Sequence, residues 1–214
     1  KNFDQAISLK PKDADYWNHR GIAYGSKGEN DKAIENLDKA INLEPDNDEY
    51  WFWRGFGYNR IGEFDKAIEN YEQVTRIDPD FSGGWHCLGV ACYNKGELDP
   101  AIKNLEKAIS LNPEWAPTWY YLGHAYDDRE EFDKAIENYN EAIRLNPEYD
   151  MAWCYRGTAY AALDDFDKAI ENLNEAIRLD PEDADYWFSL GTVYAQQGDH
   201  DKAIKDLSEA IFTS

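Results

Sequence analysis

The chain of 214 residues contains 43 acidic and 22 basic side chains, which gives a formal net charge of −21. Nucleic acids and anionic membrane surfaces both require clustered Lys and Arg, so this charge argues against either kind of partner. Acidic solvent faces that keep the protein soluble are the simplest cause of the charge, and a basic or neutral partner stays open. Apolar residues make up 43% of the sequence, enough for a sizeable core.

Several features bear on the compartment. No apolar segment reaches the roughly 20 residues of a membrane-spanning helix, and no secretory signal is visible. The start, KNFDQAISLKP, is patterned like the middle of a repeat, so we expect a segment of a longer protein. Cys87, Cys92 and Cys154 include no CxxC pair, and we expect small core residues in a reducing compartment. Together these features predict a cytoplasmic location.

The first predicted element is a lone helix near residues 2–9, which ends before Pro11. From residue 14 onward, one tryptophan, one glycine and one alanine recur at a spacing of 34, and a proline series beginning at Pro11 shares that spacing. The tryptophans are Trp17, Trp51, Trp85, Trp119, Trp153 and Trp187, and the glycines are Gly21, Gly55, Gly89, Gly123, Gly157 and Gly191. Four series in one register predict six tandem repeats.

Each repeat contains two helical patterns. In the first repeat, Trp17 and Gly21 share one face of a first helix, and the apolar residues between 33 and 41 share one face of a second. Asp31 is placed to cap the second helix and Pro45 ends it. The sequence therefore predicts an all-α chain of thirteen helices, the lone helix and six pairs.

Two recurring residues need a structural reason. A glycine inside a helix costs roughly 1 kcal/mol relative to alanine, so its recurrence predicts a close crossing of the second helix. Arg20, Arg54 and Arg156 replace the leucine of other repeats, and we expect an apolar stem at the helix edge and a charge that reaches solvent. The tyrosine four residues later would also allow a cation–π contact. Glu130 and Asp164 replace the glycine of the turn between the helices, at a modest conformational cost.

The pattern W-x2-[LR]-G-x2-Y, followed by A-x3-[FYL]-x2-A and a proline, resembles the tetratricopeptide repeat family. The resemblance covers residues 1–214 as one array, with residues 1–13 as the lone second helix of a preceding repeat. The six repeats are 14–47, 48–81, 82–115, 116–149, 150–183 and 184–214. The family implies an α-solenoid of antiparallel helix pairs in a right-handed superhelix, with first helices lining a concave groove and with proteins or peptides as partners.

Helical geometry separates two sides of each first helix. With Ala14 as position 1 of its repeat, positions 4, 7, 8 and 11 form the packing side, and positions 2, 5, 6, 9, 12 and 13 lie opposite. The resemblance makes that opposite side the groove. Its residues change between repeats while the second helices hardly do, and eight aromatics there favour a recognition surface over a solvated face. The alternative is that some of these aromatics pack between repeats.

The predicted partner-binding residues are Phe52, Trp53, Phe56, Arg60, His86, Tyr93, Tyr120, Tyr121, His124, Asp127, Asp128, Tyr155 and Phe188. Arg60 is the one cation identified in this groove, against several acidic residues. The residues therefore favour an apolar or aromatic peptide with basic character over the carboxylate-gripping mode of some family members. Two alternatives stay open: a regulatory or targeting array of a larger enzyme, and self-assembly through uncapped repeat ends.

Motifs for catalysis are missing from the sequence. It contains no HExxH, no P-loop and no GxSxG motif. His86, His124 and Asp128 come from adjacent repeats at no recognised metal spacing, and nothing orients Cys87 or Cys154 as a nucleophile. We therefore expect a protein-interaction scaffold that is not an enzyme and that uses no metal or cofactor.

Overall fold

The computed structural model describes residues 2–213, and in this range it contains thirteen helices and no strand, which confirms the all-α prediction. The lone helix α1 is Asn2–Leu9. The first helices of the repeats are α2 (Ala14–Ser26), α4 (Asp48–Arg60), α6 (Ser82–Lys95), α8 (Ala116–Asp127), α10 (Asp150–Ala162) and α12 (Ala184–Gln197). The second helices are α3 (Asn30–Leu43), α5 (Phe64–Ile77), α7 (Leu98–Leu111), α9 (Phe132–Leu145), α11 (Phe166–Leu179) and α13 (His200–Thr213).

The helices form two compact units, one that extends up to Asn112 and one that starts at Pro113. Within the first unit, consecutive helices from α1 to α7 pack on one another, and α4 also contacts α2 and α6. Within the second unit, consecutive helices from α8 to α13 pack in the same way, and α10 also contacts α8 and α12. In each unit, therefore, the first helices of neighbouring repeats lie side by side.

The recurring tryptophans tie each first helix to the turn that precedes it. In each of these six tryptophans the indole nitrogen Nε1 donates a hydrogen bond to the carbonyl oxygen of the proline six residues earlier. The donor–acceptor distances are 2.9 Å for Trp17, 2.8 Å for Trp51, Trp85 and Trp119, 2.9 Å for Trp153 and 3.0 Å for Trp187. An indole offers a large apolar body and one donor, which suits a half-buried position beside a backbone carbonyl.

The close crossing predicted from the recurring glycines is confirmed. A Cβ atom on Gly123 would lie 2.6 Å from Cε1 of Tyr139, and a Cβ on Gly89 would lie 2.7 Å from Cγ of Leu105. In both pairs the neighbour is a fully buried residue of the second helix of the same repeat. Side-chain atoms essentially never approach so closely in packed cores, so glycine is required at these crossings.

The repeat arginines make their cation–π contact with the tryptophan three residues earlier and not with the tyrosine four residues later. The guanidinium of Arg54 lies over the ring of Trp51, three residues earlier, at 4.7 Å from its centroid. Its Nε donates to Asn70 Oδ1 at 2.8 Å, and its Nη1 donates to Asp38 of the preceding repeat at 2.5 Å. Helical side chains lean toward the N-terminal turn, which favours the earlier tryptophan. The half-buried arginine thus ties two repeats together and does not direct its charge freely into solvent.

The predicted cap of α3 by Asp31 is wrong. In the first repeat the helix begins at Asn30, Glu29 is the N-cap residue, and Asp31 lies in the first turn. A carboxylate in the first turn still interacts favourably with the positive end of the helix dipole. A side-chain cap occurs in the fifth repeat, where Asp165 accepts a hydrogen bond from the backbone nitrogen of Lys168 at 3.4 Å.

Candidate functional site

The surface formed by positions 5, 6, 9, 12 and 13 of the first helices is called the first-helix face below. In the first unit, three aromatic rings of α4 form a row on this face. Phe52 is half-buried, with its centroid 5.9 Å from that of Tyr71 and 5.6 Å from that of Phe81. Trp53 lies edge-on to Phe52 at 5.6 Å and to Phe56 at 5.8 Å. Phe56 is 39% exposed, so the row leads from the core to the surface.

A pocket of about 280 Å³ opens beside this row, between α2, α3 and α4. Trp53 and Phe56 contribute to one wall, and Leu37 lies among the core residues opposite. Arg60 lies at the pocket as well, where its Nη1 donates to the carbonyl oxygen of Gly25 at 2.9 Å and its guanidinium lies 5.9 Å from the centroid of Phe56. The volume is close to the lower end of the range for ligand pockets, about 300 Å³.

On α6 the structure places His86 in the interior, with 7% of its surface exposed. Burial lowers the pKa of its imidazole to about 4, so the ring is neutral at pH 7. Tyr93 is half-buried and packs on the core cluster that contains Leu88 and Cys92. These two predicted residues therefore contribute more to packing than to an accessible surface.

In the second unit, aromatic rings of α8 and α10 pack between the fourth and fifth repeats. Tyr120 is 6% exposed, and its centroid lies 4.9 Å from that of Tyr149 and 5.9 Å from that of Tyr155. Its hydroxyl lies 2.9 Å from His124 Nε2, and the imidazole lies 3.9 Å from the Tyr155 ring. Burial lowers the pKa of His124 to about 4. Tyr121 and Tyr155 stay half-exposed at the edge of this cluster.

Two carboxylates lie at the end of α8, one turn beyond His124. Burial, with a smaller contribution from Asp128, raises the pKa of Asp127 to about 6. Asp127 is half-buried, whereas Asp128 is exposed. A cation that approached this pair would be attracted by both carboxylates and would favour the ionised form of Asp127.

Phe188 of α12 is the most exposed aromatic of the predicted set, at 59%. A pocket of about 240 Å³ lies beside it, between α10 and α12. Thr158 and Ala161 of α10 and Thr192 of α12 are among its walls. Like the pocket beside Trp53, this pocket lies between the first helices of two neighbouring repeats.

The structure separates the predicted residues by their position in the repeat, because most residues at position 5 pack between repeats, with the exposed Phe188 of the sixth repeat as the exception. Asn18 is 1% exposed and donates to Glu49 of the next repeat at 3.2 Å. The Tyr120 hydroxyl lies 3.6 Å from Met151 Sδ of the next repeat, and Cys154 is 5% exposed. These residues therefore pack between repeats. Phe188 and the residues at positions 6, 9, 12 and 13 form the accessible part of the face.

Among the residues that line the pocket beside Trp53 and that the sequence prediction omitted are Gly25, Asn30 and Gly57. Each is smaller than the residue that most other repeats carry at the same position. A comparison of the repeats at these positions would have identified these residues from the sequence, because a smaller side chain between two packed helices leaves space that a ligand can fill.

The structure gives two further findings on residues 2–213. No group of three or more His, Cys, Asp or Glu side chains in this range is arranged to hold a metal ion, and this includes His86, His124 and Asp128. None of the helices in the same range is both long and apolar enough to cross a membrane.

Sequence profiles of the tetratricopeptide repeat match most of the chain. They cover residues 26–62, 57–96, 89–128, 116–149, 138–171 and 156–213. A search of curated proteins gave no match.

Solved structures with this fold include a crystal structure of MamA protein, which is 31% identical with a TM-score of 0.72 over 81% of this chain and 94% of that one. The MamA structure from Desulfovibrio magneticus RS-1 is 20% identical, with a TM-score of 0.72 over 78% of this chain and 94% of that one. YrrB, described as a TPR protein with an unusual peptide-binding site, is 22% identical with a TM-score of 0.69 over 85% of this chain and 93% of that one. From the profiles and the identity to MamA, the chain belongs to the tetratricopeptide repeat family.

Proposed function

We propose that this chain is an interaction scaffold that binds a peptide segment of a partner protein on its first-helix face. The observation that carries the proposal is the row of Trp53 and Phe56 beside an open pocket of about 280 Å³. Aromatic side chains give a large contact area at low cost in conformational entropy and are over-represented among binding hot spots. The peptide-binding site named for YrrB supports the same class of partner.

We propose that the bound peptide combines apolar anchors with positive charge. Support comes from Asp127 and Asp128 at the end of α8, and from the formal net charge of −21. Complementary charge mainly raises the association rate, and its effect weakens as salt is added.

A selection from a phage-displayed library of random peptides tests this function. Trp53→Ala in the first unit should weaken binding of peptides that contact α4, and Tyr121→Ala in the second unit should weaken binding of peptides that contact α8, each by about 1–3 kcal/mol with little change in the fold. Asp127→Asn combined with Asp128→Asn should slow association and flatten its salt dependence. The measurement is the Kd by fluorescence anisotropy, with association rates by stopped flow.

The matched control is Glu69→Ala, an exposed substitution on the second helix α5 that should leave Kd unchanged. Peptides that bind all of these variants as tightly as the wild type would place the binding surface elsewhere and overturn the proposal. Tyr120→Ala does not test binding. The Tyr120 ring is buried, so its removal should mainly lower the melting temperature.

A further inference from the structure

The pocket between α2, α3 and α4 is lined at three positions by unusually small residues. Asn30 takes the place of a half-buried bulky side chain. The equivalents of Asn30 in the next four repeats are Phe64, Leu98, Phe132 and Phe166. Gly25 and Gly57 are the only glycines at their repeat positions, and four other repeats carry alanine where Gly57 stands. The first two repeats therefore leave a space that the larger side chains of other repeats would narrow.

The walls of this pocket suit an apolar group. Ile22 and Leu37 line one part of it, and Trp53 and Phe56 line another. Ser26 also lines the pocket, but its hydroxyl already donates to the carbonyl oxygen of Ile22 at 3.0 Å. An apolar cavity of about 150 Å³ is large enough to bind benzene, so a pocket of about 280 Å³ can hold a phenyl ring. Edge-to-face contact between aromatic rings would add to the gain from burying apolar surface.

Arg60 adds a positive charge to this otherwise apolar lining. The side chain is exposed, but its guanidinium is held in place, because Nη1 donates to the Gly25 carbonyl oxygen at 2.9 Å and the group lies 5.9 Å from the centroid of Phe56. Whereas Arg54 pairs with Asp38, no carboxylate among residues 2–213 forms a salt bridge with Arg60. A guanidinium has five N–H donors, so Arg60 is a positioned cation with donors to spare for a ligand.

We infer that this pocket takes a phenylalanine side chain of the partner peptide and that Arg60 pairs with the carboxylate of an acidic side chain next to that phenylalanine. The walls favour the apolar ring, and the charge of Arg60 favours a carboxylate beside it over a lysine or arginine. The planar guanidinium can donate two parallel N–H groups to one carboxylate. The inference rests on the proposed peptide-binding function and names the anchor of that peptide in the first unit. The positive charge proposed for the peptide concerns Asp127 and Asp128 of the second unit.

Two acetylated and amidated tripeptides separate the charge from the ring. Both have a central phenylalanine, flanked on each side by aspartate in one tripeptide and by asparagine in the other. Two-dimensional amide NMR titrations at physiological salt, which screens the net charge of the protein, give the Kd from shifts around Gly25, Asn30 and Gly57. The aspartate tripeptide should bind about two- to fivefold more tightly, the effect expected for one exposed ion pair. Equal or weaker binding of the aspartate tripeptide would overturn the assignment.

Substitutions test the charge and the space separately. Arg60→Gln should abolish the preference for aspartate, whereas Arg76→Gln, on an exposed arginine of α5, changes the net charge equally and should retain it. A preference that both variants keep, or that both lose, would not come from Arg60. Asn30→Phe restores the side chain of the other repeats, should preserve the melting temperature, and should weaken both tripeptides by narrowing the pocket. Unchanged binding to Asn30→Phe would place the phenylalanine ring outside the pocket.

A further probe distinguishes a side-chain carboxylate from the carboxylate at the end of a chain. Acetyl-asparaginyl-phenylalanine has a free C-terminal carboxylate and no acidic side chain. If this probe binds more tightly than its amide through Arg60 while the aspartate tripeptide shows no such gain, the carboxylate comes from a chain terminus and the assignment to an acidic side chain is wrong.

Library-selected peptides distinguish failure of this inference from failure of the proposed function. If these peptides lose affinity for Trp53→Ala but bind Arg60→Gln as tightly as the wild type, the function stands and the carboxylate assignment is wrong. If the tripeptides bind as expected but no peptide is selected, the pocket chemistry stands and the proposed function fails.

Discussion

At the residue scale, the turns between the two helices of a repeat show how backbone conformation selects the side chain. Gly28, Gly62, Gly96 and Gly198 have φ between 78° and 89°, and the equivalent Glu130 and Asp164 have φ of 60° and 59°. The positive φ of Glu130 and Asp164 shows that both adopt the left-handed conformation, which costs an L-residue roughly 1–2 kcal/mol. The conformational cost predicted for these two residues is therefore confirmed.

Glu130→Gly should therefore raise the free energy of unfolding by about 1 kcal/mol, because relief of strain exceeds the added entropy of the unfolded chain. The reverse change Gly62→Glu should lower the free energy of unfolding by a similar amount. This loss would come from the backbone, because a Cβ atom on residue 62 would have no other atom within 4 Å. Urea unfolding measures both. Changes of the same sign in the two variants would show that backbone strain is not the cause.

Also at the residue scale, Asp127 links stability to pH. Its pKa is raised from 3.8 to about 6 in the folded state by burial and by Asp128. The folded protein therefore holds this proton more tightly, and the stabilisation is present below pH 4 and lost as pH rises through 6. Asp127→Asn should raise the melting temperature more at pH 7 than at pH 4. A constant difference between variant and wild type over this range would contradict the raised pKa.

At the scale of the helical element, the crossing of two helices in one repeat depends on glycine. Gly123 of α8 faces Tyr139 of α9, and a Cβ there would lie 2.6 Å from Cε1 and 2.7 Å from Cδ1 of that ring. Gly123→Leu should force the pair apart and lower the free energy of unfolding by about 1–3 kcal/mol or more. Gly25→Ala is the control, because its Cβ would make an ordinary contact of 3.7 Å with Ala33. An unchanged melting temperature for Gly123→Leu would contradict the close-contact explanation.

At the scale of the whole molecule, charge limits the partners. The chain has a net charge of −21, and several of its Lys and Arg side chains pair with nearby carboxylates, as Lys95 does with Asp65 at 2.6 Å and with Glu97 at 2.7 Å. Nucleic acid binding depends on free cations that displace counterions from phosphates. We expect no retardation of DNA or RNA in gel-shift measurements at micromolar protein and physiological salt. A retarded band that weakens as salt is raised would contradict this expectation.

The sequence by itself determined the elements and the contacts within a repeat. The spacing of 34 predicted all thirteen helices, because helix formation and termination depend on side chains close in sequence, such as Trp17 and Pro45. It also predicted the glycine crossing, since Gly123 and Tyr139 belong to one helical hairpin. The direction of the Arg54 side chain was mistaken, since helix periodicity alone does not distinguish a neighbour at i−3 from one at i+4.

Only the tertiary structure decided which residues of the first-helix face are accessible. Helix geometry places Tyr120 and Tyr121 on the same side of α8, but Met151 and Tyr155 of the next repeat cover Tyr120, and Tyr121 stays half-exposed. The pocket at Asn30 has the same origin, because it depends on three small residues brought together from α2, α3 and α4. Burial at a seam is a property of two packed surfaces, and the periodicity of one helix specifies only one of them.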